Sequence, residues 1–228
     1  LRCLVGSEMC IRDRIKPGIL DADGNIRDLS SVVMDIDADA VTPEGLEEIG
    51  MIDVTTLPRV NGSPELAAPV ADPSKVVCIG LNYSDHAAEV GATPPSEPII
   101  FHKATTAYNA PNGNIVKPPH STKLDWEVEL CVYIGSRASY VSEDEALDCV
   151  AGYAVGNDVS EREFQQERPA GQWTKGKSPD TFAPVGPWLV TKDEVPNPEK
   201  LHIWLKVNGE MKQEGSTDKL IFGIKKIV

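Results

Sequence analysis

The chain contains no uninterrupted apolar run of the roughly 20 residues that a membrane-spanning helix requires, so we expect no membrane association. Positive charge is also scarce, because 22 Lys and Arg stand against 35 Asp and Glu among 228 residues, for a formal net charge of −13. No basic cluster stands out. Since nucleic acids bind basic surfaces, the charge argues against a nucleic-acid partner and favours a small ligand.

Cysteine is sparse as well. The five cysteines include no Cys-x-x-Cys pair, and five thiols in a chain of this length do not form the dense framework of a small disulfide-rich secreted domain. We therefore expect reduced thiols and a cytoplasmic protein.

The sequence divides into four parts. Residues 1–14 resemble translated adapter sequence and match nothing that follows, so we expect them to be non-native. Residues 15–60 predict a small N-terminal domain, and residues 61–74, rich in Pro, Gly, Ser and Ala, predict a linker. Residues 75–228 form the main domain, which holds the candidate catalytic residues and which we expect to be incomplete at its C-terminus.

Local patterns predict mostly strands. Turn residues at 23–25 and 207–210 each predict a hairpin. Thr42 is a helix N-cap candidate, and a capping box predicts a helix over residues 142–150. Apolar runs predict further strands at 75–80, 98–103, 127–134, 152–157, 187–191 and 201–207. The regular βαβα alternation of a doubly wound fold is missing, so we predict a β-rich α+β fold.

Three carboxylates lie within or beside these apolar runs. Glu127 and Glu129 are two residues apart, so on a strand both side chains point to the same face. Asp158 follows the strand predicted to end at residue 157. Neighbouring negative charges repel, and a divalent cation would offset that repulsion. An all-oxygen ligand set favours Mg²⁺, with Mn²⁺ or Ca²⁺ as substitutes. The alternative is three solvated acids on an edge strand.

His86 and Glu89 are three residues apart, and on a helix they share a face. A carboxylate that contacts an imidazole raises its basicity, as a general base acting on water requires; a solvated helix pair is the alternative. Lys177 lies in a Gly-containing loop, where its ammonium could neutralise a developing oxyanion or remain solvated. We do not interpret this loop as a phosphate-binding loop, because it is short of glycine and wrongly placed.

Arg162 and Gln165 follow Asp158 on one helical face. The guanidinium group could bind a substrate carboxylate through two parallel hydrogen bonds. The alternative is a pair of ordinary residues on a helix surface.

Together these segments resemble the fumarylacetoacetate hydrolase family. The resemblance runs from about Lys75 to the end of the chain, and it rests on Ile79-Gly-Leu-Asn-Tyr-Ser-Asp-His86 with Glu89, Asp125-Trp-Glu-Val-Glu-Leu130, Gly156-Asn-Asp-Val-Ser-Glu-Arg162 with Gln165, and Gly176-Lys-Ser-Pro-Asp-Thr-Phe182. It implies a mixed β-sandwich or roll with a small N-terminal β-containing domain, and a homodimer.

The resemblance also implies roles for single residues. Mg²⁺ or Mn²⁺ would be held by Glu127, Glu129 and Asp158, and water would be activated by His86 with Glu89 while Lys177 assists electrostatically. The residues implied near the substrate are Tyr83, Arg162, Gln165 and Thr181. One departure is that the founding hydrolase has a fourth metal carboxylate where this chain has Leu81-Asn82.

The expected function is metal-dependent hydrolysis of a carbon-carbon bond in a 2,4-diketo, acylpyruvate-like acid, with a small anionic 2-oxo acid as partner. Ureidoglycolate lyase, and decarboxylation or isomerisation of a related 2-oxo acid, are alternatives on the same scaffold. A non-catalytic metal-binding or ligand-binding protein is the alternative of another class.

Overall fold

A computed structural model describes residues 3–9 and 14–228 of the chain. Strands outnumber helices, as the sequence predicts. The strands are β1 Cys3–Met9, β2 Arg14–Leu20, β3 Ile26–Asp28, β4 Glu65–Leu66, β5 Val76–Gly80, β6 Ile99–Lys103, β7 Tyr108–Asn109, β8 Leu124–Asp125, β9 Val128–Ile134, β10 Val150–Asn157, β11 Ser160–Glu161, β12 Ala183–Thr191, β13 His202–Val207 and β14 Glu210–Ser216. The α-helices are α1 Pro43–Gly50, α2 Ser84–Glu89, α3 Trp173–Lys177 and α4 Ile224–Ile227.

The largest sheet orders its strands β3-β2-β1-β12-β10-β9, with β4 paired to β1 and β7 paired to β12. Strands β9 and β10 are antiparallel, and their register places Glu129 opposite Gly156 and Val128 opposite Asn157. The pairs β5-β6, β8-β11 and β13-β14 form separate two-stranded sheets. The structure is thus a β-rich α+β fold, which confirms the predicted class.

The N-terminal part joins the main sheet. Strand β1 pairs with both β2 and β12. Residues 3–9 therefore lie in the middle of the main sheet, although they belong to the segment predicted to be non-native. One apolar core contains Ile19 and Ile49 from the N-terminal part together with Ala151 and Leu189 from β10 and β12. The domain boundaries and the non-native origin of residues 1–14 stay predictions, but the two parts share a core.

Several local predictions are confirmed. The turn at residues 23–25 joins β2 to β3, and the turn at 207–210 joins β13 to β14, with positive φ at Asn208 and Gly209. The Thr42 hydroxyl caps α1 by accepting a hydrogen bond from the Gly45 amide at 3.1 Å. Along the part of the chain that the structure describes, no helix is both long and apolar enough to cross a membrane.

The prediction of a helix over residues 142–150 is wrong. The capping contacts do form, because the Ser142 hydroxyl donates to Glu145 at 2.7 Å. The helical turn nevertheless covers only Ala146–Cys149. Val150 already pairs with Ile134 as the first residue of β10, so the sheet takes the residues that would have extended the helix.

Candidate metal and catalytic site

The ends of β9 and β10 bring the candidate metal ligands together. Glu127 immediately precedes β9, and Asp158 immediately follows β10. The Asp158 amide donates to the Glu127 carbonyl at 2.8 Å, which fixes the two backbones side by side. The antiparallel register of the strands therefore explains why residues 31 positions apart in sequence share one site.

Two buried lysines hold these carboxylates. Lys177 Nζ lies 2.6 Å from Glu127 Oε2 and 2.8 Å from Asp158 Oδ2. Lys103 Nζ lies 2.6 Å from Asp158 Oδ1 and also donates to the Val159 carbonyl at 3.0 Å. Burial alone would raise the pKa of Asp158, but the positive charges of Lys177 and Lys103 outweigh burial and hold that pKa below its usual range.

Lys103 is not among the site residues predicted from the sequence, and Lys177 is buried rather than solvated. Both lysine side chains are only 2% exposed. A signal for Lys103 was available: Phe101 and Lys103 are two residues apart on β6, and both are buried. A lysine on the same buried face of a strand as an apolar residue needs a buried partner of opposite charge. Asp158 is that partner.

Arg162 extends the network on the other side of Glu127. Its guanidinium lies 2.6 Å from Glu127 Oε1 and 2.7 Å from Asp125 Oδ2, and it donates to Gln165 Oε1 at 3.0 Å. Gln165 is buried in the π-helical turn Glu163–Glu167. Arg162, predicted to bind a substrate carboxylate, is thus engaged with two protein carboxylates, and Gln165 supports it.

Glu129 differs from the other carboxylates of the cluster because it forms no ion pair within the described residues. Within residues 3–9 and 14–228 no side chain forms an ion pair or a hydrogen bond with its carboxylate. Burial raises the pKa of Glu129 to about 8, with further contributions from the negative charges of Glu127 and Asp158, although the positive charge of Lys177 lowers this pKa slightly from a distance. Three cations therefore pair with Asp125, Glu127 and Asp158, and the Glu129 carboxyl group stays outside these ion pairs.

This donor set fits a hard divalent cation chemically, since every donor is a carboxyl oxygen. The geometry is closed, however. Among the described residues no group of three or more His, Cys, Asp or Glu side chains stands ready to hold a metal ion. The Lys177 ammonium lies between the oxygens of Glu127 and Asp158, in the place that a cation shared by them would take.

His86 and Glu89 form the predicted pair on α2. His86 Nδ1 lies 3.4 Å from Glu89 Oε2, and the two side chains are 52% and 79% exposed. The pair therefore lies at the surface. Tyr83 immediately precedes α2. Burial raises the pKa of its hydroxyl, and so do the negative charges of Glu129 and Asp85.

Thr181 has a backbone φ of +71°. Its hydroxyl accepts a hydrogen bond from the Val116 amide at 2.8 Å, so in this structure it supports the loop before β8. Its role near a substrate stays a prediction.

Residues 171–178 match the Gly-x-x-x-x-Gly-Lys-Ser pattern of a phosphate-binding loop, so the sequence alone does not exclude such a loop. The structure does. These residues contain the short helix α3, and Lys177 Nζ is bound by Glu127 and Asp158. A phosphate-binding loop cradles phosphate with backbone amides and a free lysine, whereas this lysine already has two carboxylate partners.

Comparison with known proteins identifies the family. The model of the fumarylacetoacetate (FAA) hydrolase C-terminal domain matches residues 75–228. The chain belongs to this family. A relative from Burkholderia lata, provisionally named a hydrolase, is 52% identical over 213 residues, which are 93% of this chain and 75% of that protein.

Solved structures of the family share the fold. Fumarylacetoacetate hydrolase from Exiguobacterium antarcticum has a TM-score of 0.86 and 31% identity, covering all of this chain and 79% of that one. Maleylpyruvate hydrolase from Sphingobium sp. SYK-6, in complex with manganese(II) and pyruvate, has a TM-score of 0.80 and 25% identity, covering 99% and 80%. A 2-hydroxyhepta-2,4-diene-1,7-dioate isomerase from Mycobacterium marinum has a TM-score of 0.72 and 30% identity, covering 100% and 79%.

Proposed function

We propose that this chain is a divalent-metal-dependent hydrolase that cleaves a carbon-carbon bond in an acylpyruvate-like acid. The observation that carries the proposal is the convergence of Glu127 and Asp158 on one ammonium group. Besides burial, the negative charges of both carboxylates raise the pKa of Glu129. Surface acids have no reason to gather in this way. The family assignment and the hydrolases among its solved structures support the reaction type.

The metal would be Mg²⁺ or Mn²⁺, held by Glu127, Glu129 and Asp158. A bound divalent cation supplies Lewis acidity, which polarises a substrate oxygen and offsets negative charge in the transition state. The manganese in the maleylpyruvate hydrolase structure supports this assignment. Lys177 contacts two of these carboxylates, so its ammonium would compete with the cation for their oxygens.

His86 would act as the general base. Its Nδ1 faces Glu89, which leaves Nε2 to take a proton from water, and the Glu89 carboxylate would stabilise the imidazolium that forms. The hydroxide so generated adds to the carbonyl remote from the 2-oxo acid. Cleavage then releases a carboxylic acid, and the departing enolate takes up a proton to become a small 2-oxo acid such as pyruvate.

Lys177 would neutralise the charge that develops on this leaving group, since a positive charge held in a buried site needs little reorganisation during the reaction. Tyr83, Arg162, Gln165 and Thr181 are proposed near the substrate. Because Arg162 is engaged with Asp125 and Glu127, its contribution to substrate binding would require it to share or exchange these partners.

Isomerisation of a related unsaturated acid is the second candidate, supported by the isomerase from Mycobacterium marinum. Isomerisation moves a proton between carbon atoms through the same kind of enolate and needs no attacking water. The requirement for the His86 and Glu89 pair as activator of water therefore separates the two reactions.

The test is a titration of the protein with Mg²⁺ and Mn²⁺ while the absorbance of an acylpyruvate is followed, for the wild type and Glu127→Ala. We expect a metal-dependent loss of absorbance that the variant lacks. Product analysis then distinguishes cleavage from rearrangement. Metal binding without any change in the acid would overturn the hydrolase proposal and favour ureidoglycolate, decarboxylation or a binding role. Sedimentation of the same samples tests the homodimer.

A further inference from the structure

Residues 213–222, the end of β14 and the turn that follows, contact both halves of the proposed site. We call this segment the strap. One end contacts the peptide between Glu127 and Glu129, and the other contacts the turn that leads into the His86 helix. These contacts join positions 85 and 140 residues apart in sequence.

At the first end, Gln213 holds the metal-ligand strand. The Val128 amide donates to Gln213 Oε1 at 2.7 Å. Val128 lies between the two glutamates, so the orientation of its peptide sets the directions in which both side chains leave the strand. On the preceding residue, the Glu127 amide donates to Asn157 Oδ1 at 3.0 Å. Side-chain acceptors thus hold both amides where β9 begins.

At the other end, Asn82 joins the strap to the start of α2. Asn82 is 6% exposed. Its side chain donates to the Phe222 carbonyl at 3.0 Å and accepts from the Phe222 amide at 2.9 Å. The Asn82 carbonyl accepts from the Ile221 amide at 2.8 Å, and Tyr83 pairs with Leu220.

Helix α2 has few other anchors. It spans six residues, and Ala87 is the one residue of the helix that is buried. The hydrogen bonds of Asn82 to residues 221 and 222 therefore fix the turn from which the His86 helix starts. The Ser84 hydroxyl adds one more, to the Lys219 carbonyl at 3.1 Å.

The middle of the strap is anchored in the protein. Thr217 is fully buried. Its hydroxyl donates to the Pro198 carbonyl and accepts from the Leu201 amide, each at 2.8 Å. The strap therefore connects two parts of the site through a fixed point rather than through a free loop.

We propose that Gln213 and Asn82 are positioning residues that set the geometry between the metal carboxylates and the His86 base. This inference rests on the proposed function for its catalytic readout. Gln213 acts on the ligand strand and Asn82 acts on the base. The two substitutions should therefore have different effects: one weakens metal binding, and the other slows turnover at saturating metal.

The experiment compares Gln213→Ala and Asn82→Ala with the wild type. Exposed residues of the same kind supply matched controls, Gln166→Ala and Asn112→Ala. Mn²⁺ affinity is measured by electron paramagnetic resonance, kcat and KM are measured at saturating Mn²⁺, and amide hydrogen exchange is followed at Val128 and Phe222. Circular dichroism establishes that each variant is folded.

For Gln213→Ala we expect Mn²⁺ affinity to fall about 10-fold to 100-fold, as for other partners that orient metal ligands, with faster exchange at Val128. For Asn82→Ala we expect kcat to fall about 100-fold, because a small misplacement of a catalytic group has such an effect. In that variant Mn²⁺ affinity stays near the wild-type value and Phe222 exchanges faster.

Equal effects of both substitutions on Mn²⁺ affinity and kcat would overturn the proposal, because they would indicate general loosening of the fold. Wild-type behaviour of either variant would overturn its assigned role. If the wild type does not turn over acylpyruvates, the proposed reaction fails, while Mn²⁺ affinity and the exchange at Val128 and Phe222 still decide whether the two residues position their segments.

Discussion

The ammonium group of Lys177 lies 2.6 Å from a carboxylate oxygen of Glu127, and the lysine side chain is almost completely buried. The same nitrogen contacts Asp158 at 2.8 Å. A buried cation between two carboxylates holds the proposed metal ligands together when no metal is bound. It also competes with a metal for the same oxygens, so metal affinity and stability should both depend on Lys177.

Replacement of Lys177 should therefore destabilise the metal-free protein. Lys177→Met leaves Glu127 and Asp158 without this partner, and loss of one member of a buried ion pair costs about 3–5 kcal/mol of the free energy of unfolding. Mn²⁺ should recover part of the loss, because a bound cation replaces the missing charge. Urea unfolding with and without Mn²⁺ measures both effects, with Lys175→Met at an exposed position as the control. A loss that Mn²⁺ leaves unchanged would contradict this competition.

Arg162 provides a second prediction. Arg162→Gln removes the charged contacts to Asp125 and Glu127, and hydrogen bonds to charged groups contribute about 1.5–3 kcal/mol each. We expect lower stability and altered Mn²⁺ affinity. Thermal unfolding and calorimetric titration measure these changes. An increase in KM alone, with stability and metal affinity unchanged, would show instead that Arg162 serves only the substrate.

His86→Ala should separate catalysis from metal binding. The side chain is 52% exposed, so its loss should change the free energy of unfolding by less than about 0.5 kcal/mol. General-base catalysis contributes about 100-fold to 10,000-fold, and hydrolysis should fall accordingly while Mn²⁺ affinity is kept. Initial rates at saturating Mn²⁺ provide the measurement. A full hydrolytic rate in the variant would show that another group activates water.

A prediction about pH concerns Asp21, away from the proposed site. Hydrogen bonds from the Asn25 and Asp23 amides and from Arg27 hold the pKa of Asp21 well below its usual range, against the opposing effect of burial. A group with a depressed folded-state pKa stabilises the protein above its unfolded pKa, about 3.9 for Asp, and loses that effect as pH falls toward the folded pKa.

Asp21→Asn should accordingly be less stable than the wild type at pH 7. The difference should shrink as the pH falls below about 4. Urea unfolding at a series of pH values follows this difference. A gap that stays constant down to acid pH would mean that the charge of Asp21 is not responsible.

Local chemistry made much of the fold predictable. The turn at residues 207–210, the Thr42 cap and the strands that flank the carboxylates depend on near neighbours in sequence, and each is found in the structure. The helix expected over residues 142–150 failed for the opposite reason. Its capping contacts are local and form, but pairing of Val150 with Ile134 is a tertiary interaction that local patterns do not report.

The candidate site was predictable in part. The spacing of Glu127 and Glu129 indicated a shared face, whereas the contact of Asp158 with both lysines depends on where β6, β10 and α3 meet in space. The sequence also offered no means of knowing that Arg162 is engaged with Asp125, because that contact joins residues 37 apart.

The central claim is that Glu127, Glu129 and Asp158 hold a divalent cation, and calorimetric titration with Mn²⁺ of the wild type and Glu129→Gln tests it most directly. Glu129 forms no ion pair within the described residues, so its replacement leaves the ion pairs of Lys177 in place. We predict one Mn²⁺ per chain, at least about 10-fold weaker binding in Glu129→Gln, and no change in the exposed control Glu97→Gln. Failure of the wild type to bind Mn²⁺, or equal affinity in Glu129→Gln, would contradict the claim.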